Sequence, residues 1–376
     1  MRPPLRVWLW TAATVTLLLV ATVLWRGSDA AATESTTAPP ADVPSGPPAG
    51  AVSEAWSVDG GPLPETVVQD GRVLVGSAHG VRALDPVTGE EAWHYTRANA
   101  RMCGLSVTDG VAVAVFATEN RCDQAVALDA GTGVRAWTRS LNLAGDAVLD
   151  STAAIVLASN PTGLLTLDPT GDNIRWRYAA PEGCRLIGAD AGSTGVAVVQ
   201  RCGADLRVRL LDGFAGTAHW SHDLTAADAA DVRLLGADRT VTVLVGDEVQ
   251  TLAGTDGSLL ARLPVPAGTT DVEQETAGTL SLVRLDGTVS ALDTSSGALL
   301  WQAPATGLPA ASGAVQDTHA PAAIVLPDGE GFSARDPADG AEIGRFAVAG
   351  PPSGGVASVI GPVVVLRLDD RVLGYR

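Results

Sequence analysis

A repeated segment of about 40 residues constrains this chain more than any other feature. Three copies align without gaps: VRALDPVTGEEAWHY from Val81, AVALDAGTGVRAWTR from Ala125 and VSALDTSSGALLWQA from Val289. Each copy alternates apolar residues into Leu-Asp, continues through a Thr/Ser-Gly turn and places a Trp eight residues after the Asp. Weaker copies keep this frame, and the Asp position is occupied by Asp85, Asp129, Asp168, Asp212, Ala253, Asp293 and Asp336. Such a period is typical of propellers, solenoids and other repeat arrays.

Each copy divides into four short strands, which in the first copy cover residues 65–69, 72–76, 81–84 and 91–95. Four strands in every forty residues predict the blades of a β-propeller. Between the third and fourth strands, the Asp side chain is expected to accept backbone N–H groups, and the Gly to adopt positive φ.

A Trp on the fourth strand is large enough to fill the wedge between two blades, and its N–H is expected to bind the backbone of the neighbouring blade. These blade-docking positions hold Trp56, Trp93, Trp137, Trp176, Trp220 and Trp301, while Ala261 and Gly344 occupy the other two.

The two ends of the repeat region complement each other. Residues 51–58, around Trp56, resemble an isolated fourth strand, whereas residues 356–360, 363–368 and 371–375 form three strands without a fourth. We therefore predict an all-β, eight-bladed propeller in which the N-terminal strand completes the C-terminal blade and leaves no open sheet edge in the ring.

An uncharged apolar run covers residues 7–25, which is long enough to cross a bilayer as a helix. Arg2 and Arg6 precede the run and Arg26 follows it, so the charge bias predicts a single-pass anchor in the cytoplasmic membrane, with the N-terminus inside and the propeller outside. The domains are then a cytoplasmic N-terminus and anchor (1–26), a disordered Pro/Ala/Thr linker (27–50) and the propeller (51–376). A signal peptide cleaved at Ala30–Ala32 is the alternative.

The net charge is −17, which disfavours nucleic acid as a partner. All 25 basic residues are Arg, a composition typical of a high-GC genome.

The four cysteines form two local pairs, Cys103 with Cys122 and Cys184 with Cys202. In both pairs one Cys is predicted to begin the first strand of a unit and the other to lie in the loop between its second and third strands, and these positions share one face of a propeller. Local pairs in an exported domain predict two structural disulfides; a metal site is the alternative.

An Arg lies within two residues of each Cys: Arg101, Arg121, Arg185 and Arg201. In so acidic a chain, four cations on one face are a candidate surface for an acidic partner. The alternative is that they are ordinary surface residues of loops.

The repeat resembles the pyrroloquinoline-quinone-type repeat, and is similar to the blades of quinoprotein alcohol dehydrogenases and of the propeller lipoprotein of the outer-membrane barrel-assembly machinery. The resemblance covers residues 51–376 and implies the fold. The quinoprotein enzymes also need adjacent disulfide-bonded cysteines, a calcium held by Glu and Asn, a catalytic Asp and a Trp platform, and none of these can be placed in this sequence. We accordingly predict no catalytic residue, no cofactor and no metal.

These observations favour a membrane-anchored, extracytoplasmic scaffold that binds an envelope protein or peptide through its loops. Two alternatives remain: a small-molecule binder in the central funnel, and a quinoprotein-type oxidoreductase.

Overall fold

The computed structural model describes residues 5–118, 121–143, 147–225, 231–311, 322–351 and 353–376. The chain begins with helix α1 (Leu5–Arg26), a short helix α2 (Asp29–Ala32) and two strands, β1 (Thr33–Ser35) and β2 (Glu54–Asp59). Within α1, the 19 residues Trp8–Arg26 have a mean hydropathy of 1.8 and are long and apolar enough to cross a membrane.

The remaining strands build eight sheets, which are the blades of the ring. Blades 1 and 2 contain β3 (Val68–Gln69), β4 (Arg72–Ser77), β5 (Gly80–Leu84), β6 (Glu91–Arg97), and β7 (Arg101–Thr108), β8 (Val111–Thr118), β9 (Arg121–Asp129), β10 (Arg135–Ser140). Blades 3 and 4 contain β11 (Val148–Ser151), β12 (Val156–Asn160), β13 (Gly163–Asp168), β14 (Asn173–Ala179), and β15 (Cys184–Gly192), β16 (Gly195–Cys202), β17 (Asp205–Leu211), β18 (Ala218–Leu224). Blades 5 and 6 contain β19 (Val232–Ala237), β20 (Thr240–Val245), β21 (Glu248–Ala253), β22 (Leu259–Pro264), and β23 (Val272–Ala277), β24 (Leu280–Leu285), β25 (Thr288–Asp293), β26 (Leu299–Pro304). After β27 (Leu308–Pro309), blades 7 and 8 contain β28 (Ile324–Asp328), β29 (Gly331–Arg335), β30 (Glu342–Ala347), and β31 (Val356–Ile360), β32 (Val363–Arg367), β33 (Arg371–Tyr375).

The ring closes between the two ends of the repeat region, as predicted. Strand β2 pairs antiparallel with β33, from Glu54 opposite Tyr375 to Asp59 opposite Arg371, and becomes the fourth strand of blade 8. The eight-bladed propeller is therefore confirmed, with a closure that joins residues more than 300 positions apart.

Among the described residues, blade 7 contributes three strands to its own sheet. These strands are β28, β29 and β30, whereas β27 pairs in parallel with β31 of blade 8. Pro309 has no N–H to donate to a ladder, so this segment is poorly suited to a central position between two strands.

The apolar core of the ring is divided among the gaps between blades. Each of the eight clusters of buried side chains in the described residues draws on two neighbouring blades; the cluster of blades 1 and 2, for example, contains Leu74, Trp93, Met102 and Phe116. Burial of apolar surface thus stabilises the contacts between blades, and each blade depends on its neighbours for stability.

The six Trp side chains at the predicted docking positions lie in these gaps. Each indole N–H donates to a carbonyl oxygen of the next blade at 2.8–3.1 Å, and the acceptors are Pro86, Ala130, Pro169, Gly213, Gly254 and Pro337, which each follow a turn position Asp or its equivalent. Gly133 shows how closely the turn fits: it has φ 76°, and a Cβ there would lie 2.6 Å from the Trp93 ring. The turn Asp accepts backbone N–H groups as predicted, for example Asp85 from Val87 and Thr88 at 2.9 Å.

The segment predicted to be a disordered linker, residues 27–50, instead follows the surface of the ring. Strand β1 adds a fifth strand to blade 1 by pairing antiparallel with β6. Beyond it, Ala38 N donates to Thr132 O at 2.9 Å, and Arg72 Nη2 donates to Pro39 O at 3.1 Å. These contacts use main-chain groups of the segment, so its low content of large apolar residues does not prevent docking.

Candidate functional site in the central channel

The ring has two faces, which we name by their connections. The turn face carries the turns between the first and second and between the third and fourth strands of each blade, such as Asp70-Gly71 and Asp85–Gly89. The loop face carries the connections between blades, such as Ala98–Ala100, and the loops between the second and third strands.

A cavity of about 150 Å³ lies in the channel that the innermost strands surround. Its walls include Thr108, Thr152, Ser193 and Asp238, which lie at or next to the turn between the first and second strands of four successive blades. The cavity is therefore at the turn-face end of the channel.

Besides Asp238 of blade 5, four further carboxylates line this cavity: Glu65 of blade 1, Asp150 of blade 3, Asp190 of blade 4 and Glu275 of blade 6. Glu65 is exposed to the channel and the other three are half-buried, so water reaches them although the ring encloses them. None of these four carboxylates was predicted from the sequence. Their spacing could have indicated them, because Asp150 and Asp190 are one repeat apart and Glu65 and Glu275 each lie about two repeats from one of them, in or just before the innermost strand of their blades.

Backbone N–H groups of neighbouring strands hold two of these carboxylates. Asp150 accepts hydrogen bonds from Ala191 N in blade 4 and from Ser151 N, the latter at 2.6 Å. Asp190 in turn accepts from Ala237 N of blade 5 at 2.6 Å. The carboxylates therefore link the innermost strands of blades 3, 4 and 5 in addition to lining the cavity.

The enclosure and mutual proximity of these groups raise their pKa values. Although the Glu65 side chain is exposed to water in the channel, the protein that surrounds it reduces its hydration. This desolvation, reinforced by the charge and hydrogen bond of Asp150, raises the pKa of Glu65 to about 8, although Arg367 opposes the rise. Burial raises the pKa of Asp190 to about 6, against the hydrogen bond from Asp150. The pKa of Asp150 is raised well above its ordinary range by burial and by Asp190, and that of Glu275 by burial and by Glu65. The cluster therefore holds protons at neutral pH that ordinary carboxyl groups would have lost.

This arrangement is chemically suited to a cationic group. A cation in the cavity favours the ionised carboxylates, so its binding is coupled to proton release. Among the residues that the structure describes, no three His, Cys, Asp or Glu side chains are placed to hold a metal ion together.

The two predicted disulfides are confirmed. Cys103 is bonded to Cys122 within blade 2, and Cys184 to Cys202 within blade 4, where the two residues lie directly opposite each other on β15 and β16. Both belong to the loop-face end of their blades.

The four arginines lie beside these disulfides as two pairs. Arg185 and Arg201 are directly opposite each other on β15 and β16. Arg101 begins β7 and Arg121 begins β9, and Arg121 Nη2 donates to Asn142 Oδ1 at 2.6 Å. Blade 3 separates the two pairs. Because all four arginines lie at the loop-face ends of their strands, they belong to the face opposite the end where the carboxylate-lined cavity lies.

Several known proteins resemble this chain in sequence or in fold. The sequence model of the family described as outer membrane protein assembly factor BamB matches residues 21–186, 123–284 and 204–373, which together cover most of the chain. Similar solved structures include BamB from Moraxella catarrhalis (17% identity, TM-score 0.52, covering 86% of this chain and 99% of that one) and the computationally designed protein Ika8 (14%, 0.53, 89% and 99%). The C-terminal WD40 domain of Sif2 is also similar (10%, 0.53, 86% and 98%). No curated protein sequence matches this chain. At these identities the structural likeness concerns the fold alone.

Proposed function

Because the chain belongs to the family of the outer membrane protein assembly factor BamB, we propose that it is a membrane-anchored interaction scaffold of the cell envelope. Helix α1 holds it in the cytoplasmic membrane with the N-terminus inside, and the propeller outside presents its faces to an envelope protein or peptide. The observation behind this proposal is a closed ring, from a family named for an assembly factor, that is joined to one helix of membrane-spanning length.

Two further features support the topology. Arg2 and Arg6 precede the apolar run of residues 7–25, and positive charge is enriched on the cytoplasmic side of membrane spans. The two disulfides suit an oxidising compartment outside the cytoplasm.

Cross-linking of the intact protein in its membrane, followed by identification of the captured proteins, tests the scaffold proposal. We expect one envelope protein in stoichiometric yield, and capture of nothing above background would contradict the proposal. The four arginines are the proposed contact on the loop face, so Arg121→Glu with Arg201→Glu should weaken capture. The control is Arg135→Glu with Arg262→Glu, which makes the same charge change on the outer strands of blades 2 and 5. Equal capture by both variants would remove the arginines from the interface.

A second candidate function is binding of a small cationic ligand in the channel, which the carboxylates around the cavity favour. The probe is spermidine, titrated calorimetrically into the full-length protein at pH 7 in buffers of different ionisation enthalpy. We expect binding with proton release, lost in Glu65→Gln with Glu275→Gln and kept in Glu90→Gln with Glu182→Gln, whose side chains are exposed outside the channel. The absence of heat, or equal heats in the two variants, would exclude this function.

A further inference from the structure

The chain between the membrane helix and the ring makes contacts that a flexible stalk would not make. Only Gly27 and Ser28 separate α1 from α2, and both form hydrogen bonds to the last turn of α1. Gly27 N donates to Val23 O at 3.1 Å, and Ser28 N donates to Trp25 O at 3.0 Å. Ser28 then caps α2 by accepting from Ala31 N at 3.3 Å. The chain therefore has little freedom between the end of the membrane helix and α2.

Helix α2 is fixed to the loop face of blade 1 through Asp29. Asp29 Oδ1 accepts from Asn99 Nδ2 at 2.8 Å and lies 2.7 Å from Arg97 Nη2, as an ion pair without the alignment of a hydrogen bond. The Arg97 side chain is only 3% exposed, and its guanidinium lies over the Phe116 ring at 5.5 Å. A charge this deeply buried needs a counter-charge, and Asp29 supplies one. Ala98 N also donates to Ala32 O at 2.8 Å.

The following residues continue this attachment across three blades. Strand β1 pairs with β6 of blade 1, Ala38 binds the turn of blade 2, and Pro39 binds Arg72 of blade 1. The main chain at Pro44 then approaches so close to Gly361 of blade 8 that a Cβ at that glycine would overlap it.

We propose that residues 27–44 are a strap that docks the membrane anchor onto blade 1 and so holds the loop-face corner of blades 1 and 2 against the lipid headgroups. The strap rests on the proposal that α1 crosses the membrane. Three residue steps from Arg26 to Asp29 span at most about 11 Å, so the connection Ala98–Ala100 lies close to the membrane surface. A free linker of residues 27–50 would instead have a root-mean-square length of about 27 Å, and no blade would face the membrane preferentially.

Docking of the strap is tested by a cysteine pair in the full-length protein. Glu34 and Thr96 are partners in the β1–β6 ladder, so Glu34→Cys with Thr96→Cys should form a disulfide under mild oxidation. The control is Glu34→Cys with Ser140→Cys, because Ser140 has the same place after Trp137 in blade 2 as Thr96 has after Trp93 in blade 1. We expect at least a ten-fold higher yield for the first pair; comparable yields would show a mobile linker and overturn the proposal.

Orientation at the membrane is tested by quenching. A fluorophore is attached at Ala98→Cys or at Ala267→Cys, both exposed alanines in connections on the loop face, four blades apart. The proteins are reconstituted in phosphatidylcholine vesicles that carry a nitroxide on the headgroup. We expect stronger quenching at position 98, and equal quenching at both positions would refute the fixed orientation.

Different results would refute the membrane anchor and the docked strap. Release of the chain by alkaline extraction of membranes, or an intact mass that begins at Thr33, would refute the anchor whatever the cysteine pair reports. Retention in the membrane with comparable cross-linking of the two pairs would refute the strap alone.

Discussion

Asp190→Asn should change how the stability of the ring depends on pH. Asp190 has an ordinary pKa of 3.8, which burial raises to about 6 in the folded protein. Between these two values the folded state therefore holds a proton that the unfolded state has lost. Because the folded state binds more protons in this window, the free energy of unfolding falls as pH rises through it, and the contribution is fully lost above the folded pKa.

The magnitude follows from the same pKa values. A difference of about two pKa units corresponds to about 3 kcal/mol. Water in the channel screens the half-buried carboxylate, so we expect about 1–2 kcal/mol as the difference between the two proteins in stability lost from pH 4 to pH 8. Asp190→Asn also weakens the hydrogen bond from Ala237 N, which lowers the free energy of unfolding by the same amount at every pH. Comparing how the two proteins change with pH removes this constant difference.

The assay is urea unfolding of the full-length protein in detergent, followed by the fluorescence of the Trp side chains between the blades. The unfolding midpoint of the wild type should fall with pH over this range more steeply than that of Asp190→Asn. The control is Glu182→Gln in the exposed connection between blades 3 and 4, which should follow the wild type. Parallel curves for the wild type and Asp190→Asn would refute the assignment of a raised pKa to the channel.

The ring itself gives three further predictions. Deleting residues 51–58 or 371–376 removes the β2–β33 ladder, so the cooperative thermal transition should be lost; an unchanged transition would show that the ring does not need this closure. Trp93→Phe removes the hydrogen bond to Ala130 and should lower the free energy of unfolding by about 1 kcal/mol, against about 3–5 kcal/mol for Trp93→Ala; equal losses would mean that the N–H, and not the ring volume, stabilises the contact. Cys184→Ser with Cys202→Ser removes a disulfide between residues 18 positions apart and should lower the free energy of unfolding, measured by denaturant titration, by about 3 kcal/mol. An unchanged free energy of unfolding would imply that the disulfide does not restrain the unfolded chain.

The eight-bladed architecture could be predicted because each blade repeats the same short sequence motif. The turn Asp, the positive-φ glycine and the Trp that docks on the next blade are all local features, and their repetition fixes both the number of blades and the closure by β2. Blade 7 was harder, since Gly344 replaces its Trp and the parallel pairing of β27 depends on a neighbouring blade.

The channel and the strap were missed for a different reason, because neither has a motif of its own. The carboxylates lie on or just before innermost strands, and their side chains meet only when the ring is closed. A single Asp or Glu in such a strand indicates nothing about its neighbours across the channel. The docked segment is rich in Pro, Ala and Thr, which is typical of flexible linkers. It binds largely through main-chain groups, as between Ala38 and Thr132, and composition does not report these contacts.

Site-specific photo-cross-linking in the intact membrane tests whether the ring is a scaffold whose faces bind a partner. A photoreactive amino acid replaces Ser193 on the turn face, Arg121 on the loop face or Ile343, whose side chain is exposed on the outer strand of blade 7. We predict one protein adduct of constant mass at Ser193, at Arg121 or at both, and none at Ile343. Adducts of similar yield at all three positions, or at none of them, would contradict the claim that this propeller is an interaction scaffold.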